Sequence, residues 1–519
     1  DAAVAVAFAL AVTHPQAGNL GGGGFMLVRM ADGRAAFVDY RETAPAAARW
    51  DMFLDAQGNL VPGRSTETWL AAGVPGTVAG LELALRTYGT LSLNQVLQPA
   101  IRLAKKGFPV SPELARDLRE SAKDLSRDPE SRRIFLHNSR FYEPGELLVQ
   151  KNLARTLKRI ADKGAREFYD GSLARNFVTA SKRSGGLFTR DDLRNYRPVM
   201  RQPLRGTFRG YEILTAPPPS SGGVALLETL NMLERLLGPQ DKPDAPQTLH
   251  VVAEALRRAF ADRARYLADP DFASLPVAGL IDKDYAARFA ASVNRQQASA
   301  SAALARPDPL GFPATAANSS LGREGEETTH FSVVDAAGNA VSNTYTINDW
   351  YGNGITVPGL GFLLNNEMDD FTTQPGGPNT SQLIQSEANK VEPRKRPLSS
   401  MTPTMVLREG QPVLVLGSPG GPRIISSVLE VLLHRLIFED DLALAVARPR
   451  FHHQWLPDKL FLEPEVFTEA QVAALRALGH QVELQGKVGR VNAIERQPAT
   501  GELYGVADAR ADTAAARGY

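Results

Sequence analysis

A predicted β-hairpin that begins just after residue 328 constrains the fold of this chain most strongly. Residues 331–334 and 341–345 are rich in β-branched and aromatic residues, which favour strands. Between them, residues 335–339 (Asp-Ala-Ala-Gly-Asn) supply the residues of a turn. Residues 297–318 consist mainly of Ala, Ser, Pro and Gln without a periodic apolar face, so we expect a flexible tract. The sequence therefore predicts a rigid hairpin directly behind a flexible segment.

The junction between this tract and the hairpin suggests a nucleophile. Threonine is a weak nucleophile, and a neighbouring free α-amine can act as its base. An internal threonine has no free amine, so the chain would first have to break between Glu327 and Thr328. The alternative is that the Thr-Thr pair simply opens an edge strand, because threonine favours strands. The residues of this stretch leave both interpretations open.

Length and composition limit the classes of protein to consider. A chain of 519 residues exceeds one ordinary compact core, so we expect two domains or one large layered unit. The 58 basic and 57 acidic residues give a net charge of +1, which argues against nucleic acid or an anionic membrane as the main partner. The absence of cysteine excludes disulfides, cysteine-ligated zinc and cysteine nucleophiles.

The start of the chain predicts a buried helix rather than a membrane segment. Residues 1–12 are apolar and rich in alanine, but they are too short to span a bilayer and lack a basic region before them. No uninterrupted apolar run elsewhere is long enough to span a bilayer. Because the chain begins abruptly within this helix, we expect that it lacks its true N-terminus.

Periodicity predicts the main helices and strands. Apolar residues at helical spacing indicate helices at residues 79–88, 93–106, 153–164, 173–184, 224–236, 247–267, 423–438 and 468–478. Strands are predicted at residues 25–30, 35–40, 207–214, 361–364, 404–407, 413–416, 459–462, 482–484 and 503–507. Thr189 is a predicted N-cap. Sheet strands placed between helical regions indicate a layered arrangement.

Two further features are interpreted as structural. Residues 18–24 (Gly-Asn-Leu-Gly-Gly-Gly-Gly) have neither GxGxxG nor Walker spacing, so tight packing or a turn beside the substrate is predicted instead of a phosphate loop. His250 and His330 stand alone in the sequence, and we interpret both as structural rather than as metal ligands.

Several motifs occur in an order that is typical of one family. They lie at residues 18–25, 39–42, 217–223, 328–335, 364–371, 396–401, 417–421 and 450–455. Together they closely resemble the γ-glutamyltranspeptidases of bacterial type, over nearly the whole chain. The resemblance implies an α+β N-terminal nucleophile hydrolase fold, a four-layer αββα sandwich with two stacked β-sheets between helical layers. It also implies a large subunit (1–327, ending in a flexible tract at 297–327) and a small subunit (328–519) that form a heterodimer from one precursor.

The resemblance assigns the reacting groups. Thr328 would be the nucleophile with its own α-amine as base, after self-cleavage at the Glu327–Thr328 bond. Thr346 would hydrogen-bond the nucleophile. The backbone amides of Gly420 and Gly421 would stabilise the oxyanion.

The resemblance also assigns the groups that hold the zwitterionic γ-glutamyl donor. The carboxylate-binding residues would be Arg41, Ser399 and Ser400, and arginine offers a planar fork that matches a carboxylate. The amine-binding residues would be Asn348, Glu367 and Asp370. The related glutaryl-cephalosporin acylases handle a substrate without that amine, so the presence of Asp370 favours γ-glutamyl substrates.

The resemblance implies further properties of the site. The spacing between Asp370 and Ser399 implies a lid loop, in which Ser381 stands where relatives carry a gating tyrosine, and Trp350 is a candidate for the acceptor side. Donors would be glutathione and other γ-glutamyl compounds, and acceptors would be water, amino acids or peptides, without a metal or organic cofactor. A periplasmic or secreted location is implied. Two alternatives stay open: a glutaryl or cephalosporin acylase on the same scaffold, and an unprocessed non-catalytic homologue.

Overall fold

The computed structural model describes residues 1–304, 309, 328–373 and 383–519. The predicted cleavage residue Glu327 and the predicted lid residue Ser381 lie outside these ranges, as does most of the predicted flexible tract. No helix among the described residues is both long enough and apolar enough to cross a membrane.

The strands of the described residues form two main antiparallel sheets. Their bounds are β1 (Gly23–Arg29), β2 (Ala35–Asp39), β3 (Phe108–Pro109), β4 (Leu147–Leu148), β5 (Val199–Arg201), β6 (Leu204–Phe208), β7 (Tyr211–Thr215), β8 (Thr329–Val334), β9 (Ala340–Thr346), β10 (Thr404–Arg408), β11 (Gln411–Gly417), β12 (Phe451–His452), β13 (Leu460–Leu462), β14 (Val482–Leu484), β15 (Asn492–Arg496) and β16 (Leu503–Val506). One sheet has the order β5-β2-β1-β9-β8 and the other has the order β16-β15-β11-β10-β7-β6. The remaining strands form two small sheets, β12-β13-β14 and β3-β4.

The helices cover the outer faces of the two main sheets. Their bounds are α1 (Ala2–Thr13), α2 (Thr77–Tyr88), α3 (Leu93–Lys106), α4 (Pro112–Glu120), α5 (Ala122–Leu125), α6 (Pro129–Phe135), α7 (Lys151–Lys163), α8 (Arg166–Tyr169), α9 (Ser172–Arg183), α10 (Arg190–Asn195), α11 (Gly222–Leu236), α12 (Pro246–Tyr266), α13 (Val277–Leu280), α14 (Lys283–Ala291), α15 (Arg423–Leu436), α16 (Leu442–Ala447) and α17 (Glu469–Ala477). Helices α1 and α2 contact the first sheet, and helices α11 and α15 contact the second. Strands β8 and β9 pack against β11, so the sheets are stacked between helical layers. The predicted α+β class and αββα architecture are confirmed.

Strand β1 shows why both faces of the first sheet are buried. Its side chains alternate between the faces, since successive residues of a strand point in opposite directions. Phe25 and Leu27 join the core between the sheets, whereas Met26 and Val28 join the core beneath α1, α2, α3 and α7. Burial on both sides explains the continuous apolar run of this strand. Burial of each such side chain away from water stabilises the folded state by about 1.5–3 kcal/mol.

The glycine run before β1 permits close packing against β9. A Cβ atom on Gly24 would lie 2.4 Å from the Cβ atom of Tyr345, and one on Gly22 would lie 2.1 Å from the carbonyl oxygen of Thr346. Real side chains do not approach so closely, so only glycine fits. The prediction of tight packing for this run is therefore confirmed, and the packing fixes the end of β9, where Thr346 lies.

Most predicted elements are confirmed, including the hairpin of β8 and β9 and the N-cap at Thr189, whose hydroxyl accepts a bond from the amide of Asp192. The single strand predicted at residues 207–214 is wrong. It is a hairpin of β6 and β7, because Arg209 and Gly210 both adopt positive φ angles (49° and 84°), as a tight hairpin turn requires.

The strand predicted at residues 361–364 is also wrong. This segment makes only isolated bridges, from Leu363 to Thr356 and from Leu364 to Gly21. It therefore closes a loop against the glycine run and does not extend a sheet.

Candidate active site

One pocket collects most of the predicted site residues at the meeting point of several distant segments. It encloses about 400 Å³ of space, part of which is open to solvent. Its lining consists of Arg41, Arg263, Thr328, Thr346, Asn348, Glu367, Asp370, Leu383, Leu398, Ser399, Ser400, Met401, Gly421, Pro422 and Ile424. Of the predicted residues within the described ranges, Gly420 and Trp350 are not part of this lining. The Trp350 ring instead lies 5.8 Å from the guanidinium carbon of Arg490.

Thr328 and Thr346 occupy the ends of neighbouring strands. Thr329 pairs with Tyr345 in the β8–β9 ladder, so the same register continued by one residue puts Thr328 opposite Thr346. Thr328 is only 7 % exposed. The Oγ1 atom of Thr346 accepts a 2.9 Å hydrogen bond from the amide of Asn348, which lies just beyond β9 with a φ of 74°. Asparagine tolerates this left-handed conformation better than most residues, and here it turns the chain at the pocket wall.

Arg41 follows the end of β2, and its buried side chain lines the pocket. Its Nε and Nη2 atoms donate to the carbonyl oxygens of Pro397 and Leu398, at 3.2 and 3.3 Å. Nη1 donates to a carboxylate oxygen of Glu367, and Nη2 donates to Oδ2 of Asp370 at 2.6 Å. Burial alone would lower the pKa of Arg41, but the nearby carboxylates outweigh burial and raise it. Arg41 is therefore a permanent cation held in place by two acids.

The two acids come from a 3-10 turn, Glu367–Asp370. Glu367 is buried, and burial raises its pKa well above the ordinary value although Arg41 opposes the shift. Its Oε2 atom has no hydrogen-bond partner within the described ranges. Asp370 is more accessible, with a side chain that is 17 % exposed. The pocket thus offers carboxylate oxygens that can accept hydrogen bonds from a ligand ammonium group.

Ser399 and Ser400 are held by the turn that precedes α11. The amide of Ser399 donates to the carbonyl of Pro219 at 2.9 Å, and the amide and hydroxyl of Ser221 both donate to the carbonyl of Ser399, at 2.7 and 2.6 Å. The Oγ atom of Ser399 accepts a bond from the amide of Met401 at 3.1 Å. These bonds hold Ser399, and with it the adjacent Ser400, at the pocket wall.

Arg263 is a pocket residue that the sequence analysis did not identify. It lies in the last turn of α12 and is 2 % exposed. Its Nε atom donates to Oγ of Ser221 at 2.9 Å, and Nη2 donates to Oγ of Ser400 at 3.4 Å. Burial lowers the pKa of Arg263 to about 10, with some opposition from Asp370, so it stays charged at neutral pH. Helix α12 carries two other buried arginines, Arg257 and Arg258, and no sequence signal separates Arg263 from them.

Gly420 and Gly421 form the approach to helix α15. Their φ angles are 131° and 53°, both in the region that glycine adopts easily. The carbonyls of Gly420 and Gly421 accept bonds from Arg423 and Ile424, which begin the helix. Gly421 therefore brings the N-terminal end of a 14-residue helix to the pocket, where the helix dipole favours negative charge.

His250 stands alone in the sequence but has close polar neighbours in the structure. Its Nδ1 atom lies 2.8 Å from Nε2 of His480, and Glu254 completes a buried group whose polar atoms are close enough to surround an ion. The Glu254 carboxylate already accepts bonds from Arg257 and Arg258. These two guanidinium charges oppose a cation at this place. His330 instead bonds to Thr344 and Ser332, at 2.9 and 3.0 Å.

Comparisons with known proteins agree with this geometry. The family model described as Gamma-glutamyltranspeptidase matches residues 1–518. The "Glutathione hydrolase proenzyme" of Escherichia coli (strain K12) is 45 % identical over 520 residues, covering 100 % of this chain and 87 % of the relative. The cephalosporin acylase of Bacillus halodurans has a TM-score of 0.86 at 26 % identity, covering 100 % of this chain and 91 % of its own.

A further solved structure is similar over part of the chain. The gamma-glutamyltranspeptidase of Helicobacter pylori is 42 % identical with a TM-score of 0.57, covering 59 % of this chain and 88 % of its own. The match of the family model over residues 1–518 is decisive, because it spans every segment that contributes to the pocket. This chain therefore belongs to the gamma-glutamyltranspeptidase family and is an enzyme.

Proposed function

We propose that this enzyme is a γ-glutamyltransferase and glutathione hydrolase that activates itself by cutting the chain before Thr328. One observation carries the proposal: a buried threonine shares a pocket with two arginines and two carboxylates. A γ-glutamyl group has an ammonium and a carboxylate on the same carbon, so a pocket for it needs both signs of charge at once.

The first proposed step is maturation. The hydroxyl oxygen of Thr328 attacks the carbonyl carbon of Glu327 and displaces the Thr328 nitrogen, which leaves an ester. Water then attacks this ester, releasing the carboxyl group of Glu327 and the free hydroxyl and α-amine of Thr328. The product has the base that a threonine nucleophile needs.

The second proposed step is acyl transfer. The α-amine takes the proton of the Thr328 hydroxyl as its oxygen attacks the γ-carbonyl of the donor, and the same proton passes to the leaving amine. The resulting γ-glutamyl ester is attacked by water or by an acceptor amine, which restores the hydroxyl. The amides of Gly420 and Gly421 are proposed donors to the oxyanion, supported by the position of Gly421 at a helix N-terminus. Thr346 is proposed to hydrogen-bond the nucleophile, supported by its place opposite Thr328.

Substrate recognition follows from the charges in the pocket. Glu367, Asp370 and Asn348 are proposed to bind the donor's ammonium group. Arg41, Ser399 and Ser400 are proposed to bind its carboxylate. The similarity to a cephalosporin acylase makes a glutaryl donor the second candidate. The buried carboxylates favour the first candidate, because a glutaryl group has no ammonium to compensate them.

We further propose that the cut pieces, 1–327 and 328–519, stay together as large and small subunits. Strand β1 of the first piece pairs with β9 of the second, and β7 of the first pairs with β10 of the second. Each main sheet therefore contains strands from both pieces, and separating them would expose both cores. The reaction as proposed needs no metal or organic cofactor, since the hydroxyl, amine and backbone amides fill each role. A periplasmic or secreted location is proposed from the family alone.

The test is a comparison of donors with the cleaved protein. With glutathione we expect release of glutamate and cysteinylglycine, and with added glycylglycine we expect the γ-glutamyl tripeptide. With γ-glutamyl and glutaryl p-nitroanilides, kcat/KM should be higher for the γ-glutamyl compound. A higher kcat/KM for the glutaryl compound would establish the acylase alternative instead.

A further inference from the structure

Asp349 and Asn366 form a reciprocal pair of hydrogen bonds beside the pocket. The amide of Asp349 donates to Oδ1 of Asn366 at 3.0 Å, and Nδ2 of Asn366 donates to Oδ2 of Asp349 at 2.6 Å. Two more bonds join the same stretch of chain to Asn366: Nδ2 of Asn348 donates to its carbonyl at 3.1 Å, and its amide donates to the carbonyl of Ile347 at 3.1 Å. Asn366 is fully buried. The segment just after β9 is therefore tied to a single buried asparagine.

This link spans two residues that are proposed to bind the donor's ammonium group. Asn348 lies on one side of the link, and Glu367, which follows Asn366 directly, lies on the other. The link holds a turn that is costly by itself, because Asn348 and Tyr351 adopt left-handed φ angles of 74° and 61°. Asp349 lies outside the pocket lining, so we expect it to act on a ligand through these neighbours.

Asp349 is the acidic member of this link, and its side chain is partly buried. Burial raises the pKa of Asp349 to about 7, although the hydrogen bond from Asn366 opposes the shift. The charges of three further acids also raise it: Asp369, Asp370 and Asp124. Arg41 pairs with Asp370, and Arg127 pairs with Asp124. An ionised carboxylate accepts a stronger hydrogen bond than a neutral one, so the link to Asn366 is strongest above about pH 7.

We propose that Asp349 is a positioning residue that sets the affinity of the pocket for the donor's ammonium group, by holding Asn348 and Glu367 at a fixed separation through Asn366. Because the ionised carboxylate holds this link more tightly, affinity for the ammonium group should rise between pH 6 and pH 8. This inference rests on the proposed function, in which the donor carries an α-ammonium group.

The alternative is that Asp349 only stabilises the loop after β9. Every ligand of the pocket would then be weakened alike when the bond to Asn366 is lost, with or without an ammonium group. The two roles also differ in their pH dependence, because only the positioning role links ammonium affinity to the charge of Asp349.

The experiment compares two competitive inhibitors, L-glutamate and glutarate, which differ only in the ammonium group. Their inhibition constants are measured at pH 6 and pH 8 with the γ-glutamyl anilide as substrate, using only protein that a denaturing gel shows to be cleaved. Asp349→Asn keeps an acceptor for Asn366 but removes the charge, and Asp349→Ala removes both. Asp335→Asn is the matched control, because the Asp335 carboxylate also accepts an asparagine amide, from Asn339 at 2.7 Å, but lies in the exposed turn of the β8–β9 hairpin.

At pH 8 we expect Asp349→Asn to raise the inhibition constant of L-glutamate about 3- to 10-fold, the difference between a charge-assisted and a neutral hydrogen bond. At pH 6 the variant should lie within about twofold of the wild type, whose Asp349 is then mostly protonated. Asp349→Ala should weaken L-glutamate at both pH values, because it loses the bond itself. Glutarate should change by less than about twofold throughout, as should both inhibitors in Asp335→Asn. Titration of the Thr328 amine affects variant and wild type alike, so it cancels in these ratios.

Equal weakening of L-glutamate and glutarate in Asp349→Asn, the same weakening at both pH values, or none at all would overturn the positioning role of Asp349. If Asp349→Ala does not mature, Asp349→Asn decides alone, since it keeps the shape and the bond. Failure of the proposed function has a different signature: a cleaved wild type that prefers the glutaryl anilide to the γ-glutamyl anilide. In that case a selective, pH-dependent weakening of L-glutamate in Asp349→Asn would still support the role of Asp349.

Discussion

The Nη2 atom of Arg41 lies 2.6 Å from the Oδ2 atom of Asp370, and this ion pair joins residues 329 positions apart in the chain. The Arg41 side chain is 1 % exposed and the Asp370 side chain is 17 % exposed, so water screens the pair only weakly. The same guanidinium also bonds to Glu367. Arg41, Glu367 and Asp370 therefore form one connected charged group. Removing one of the two acids changes the net charge that a bound zwitterion meets.

Asp370→Asn should reduce activity on the γ-glutamyl anilide selectively. The asparagine has nearly the same shape but no charge, so the ligand ammonium and Arg41 both lose a partner. Loss of one member of a desolvated charge pair costs about 2–5 kcal/mol, which corresponds to a fall in kcat/KM of roughly 30-fold or more. The fall should be smaller for the glutaryl anilide, and steady-state kinetics measure the ratio. Asp369→Asn is the control, since Asp369 accepts a bond from Ser65 and lies outside the pocket lining. An unchanged donor ratio in Asp370→Asn would contradict ammonium recognition by this residue.

Thr346→Val should slow turnover without unfolding the protein. Valine keeps the shape of threonine but removes the Oγ1 atom that accepts the Asn348 amide at 2.9 Å. Loss of a buried acceptor costs about 1–3 kcal/mol, so kcat should fall roughly 5- to 150-fold. Thr344→Val is a matched control two residues earlier, where the hydroxyl bonds to His330 instead of lining the pocket. The Thr344→Val control should lower the midpoint of thermal unfolding but leave kcat unchanged. Equal kcat values for the two variants would refute a special role for Thr346.

Acidification should destabilise the fold through buried histidines such as His330. Burial lowers the pKa of folded His330 to about 3, whereas an unfolded histidine titrates near 6.5. The unfolded chain therefore binds the extra proton first, so stability is present above about pH 6.5 and is lost as pH falls from there toward 3. Between pH 8 and pH 5 this histidine alone costs about 2 kcal/mol.

The thermal midpoint, measured at a fixed scan rate from pH 8 to pH 5, should therefore fall less steeply for His330→Asn than for the wild type. The absolute midpoint of the variant is irrelevant to this test, because only the slope reports the titrating group. Identical slopes would show that His330 does not stay neutral in the folded protein.

Gly24→Ala should disrupt the packing of β1 against β9. The new methyl group would lie 2.5 Å from Cα of Tyr345 and 2.6 Å from the carbonyl oxygen of Thr344, which are backbone atoms that cannot rotate away. Overpacking typically costs 1–3 kcal/mol, and we expect about 3 kcal/mol or more here. Chemical denaturation of the cleaved protein measures the change. Gly238→Ala is the matched control, because its nearest neighbour would be 4.0 Å away. A midpoint equal to that of the control would show that β1 and β9 are less tightly packed than described.

Local sequence signals explain the elements that were predicted well. The helix at residues 93–106 has a clear apolar stripe and a capping box from Ser92, and it is observed as α3 (Leu93–Lys106). The β8–β9 hairpin likewise follows from alternating residues and a short turn. Such signals fail where the structure depends on distant partners. Residues 361–364 are strand-like in composition, but they pair only through isolated bridges to Thr356 and Gly21.

The residues of the candidate site fall into the same two groups: those that sequence motifs identify, and those whose surroundings depend on distant parts of the chain. Ordered motifs were enough to name residues that the fold collects in one pocket, including Thr328, Arg41 and Asp370. Arg263 could not be named, because α12 carries two other buried arginines and no sequence pattern shows which of the three reaches the pocket. The partner of His250 could not be predicted either, because His480 lies 230 residues away in the chain.

The most direct test of the account is the mass and N-terminal sequence of the chains that the purified protein contains after incubation. For the wild type we predict two chains on a denaturing gel, with the smaller one starting Thr-Thr-His at Thr328, and activity that appears in step with the cut. Thr328→Ala should stay intact and inactive, while Thr328→Ser, which keeps a hydroxyl group, should still be cut. A wild-type chain that remains whole yet hydrolyses γ-glutamyl anilide, or a Thr328→Ala chain that is cut at the same bond, would contradict the central claim that Thr328 creates its own catalytic amine.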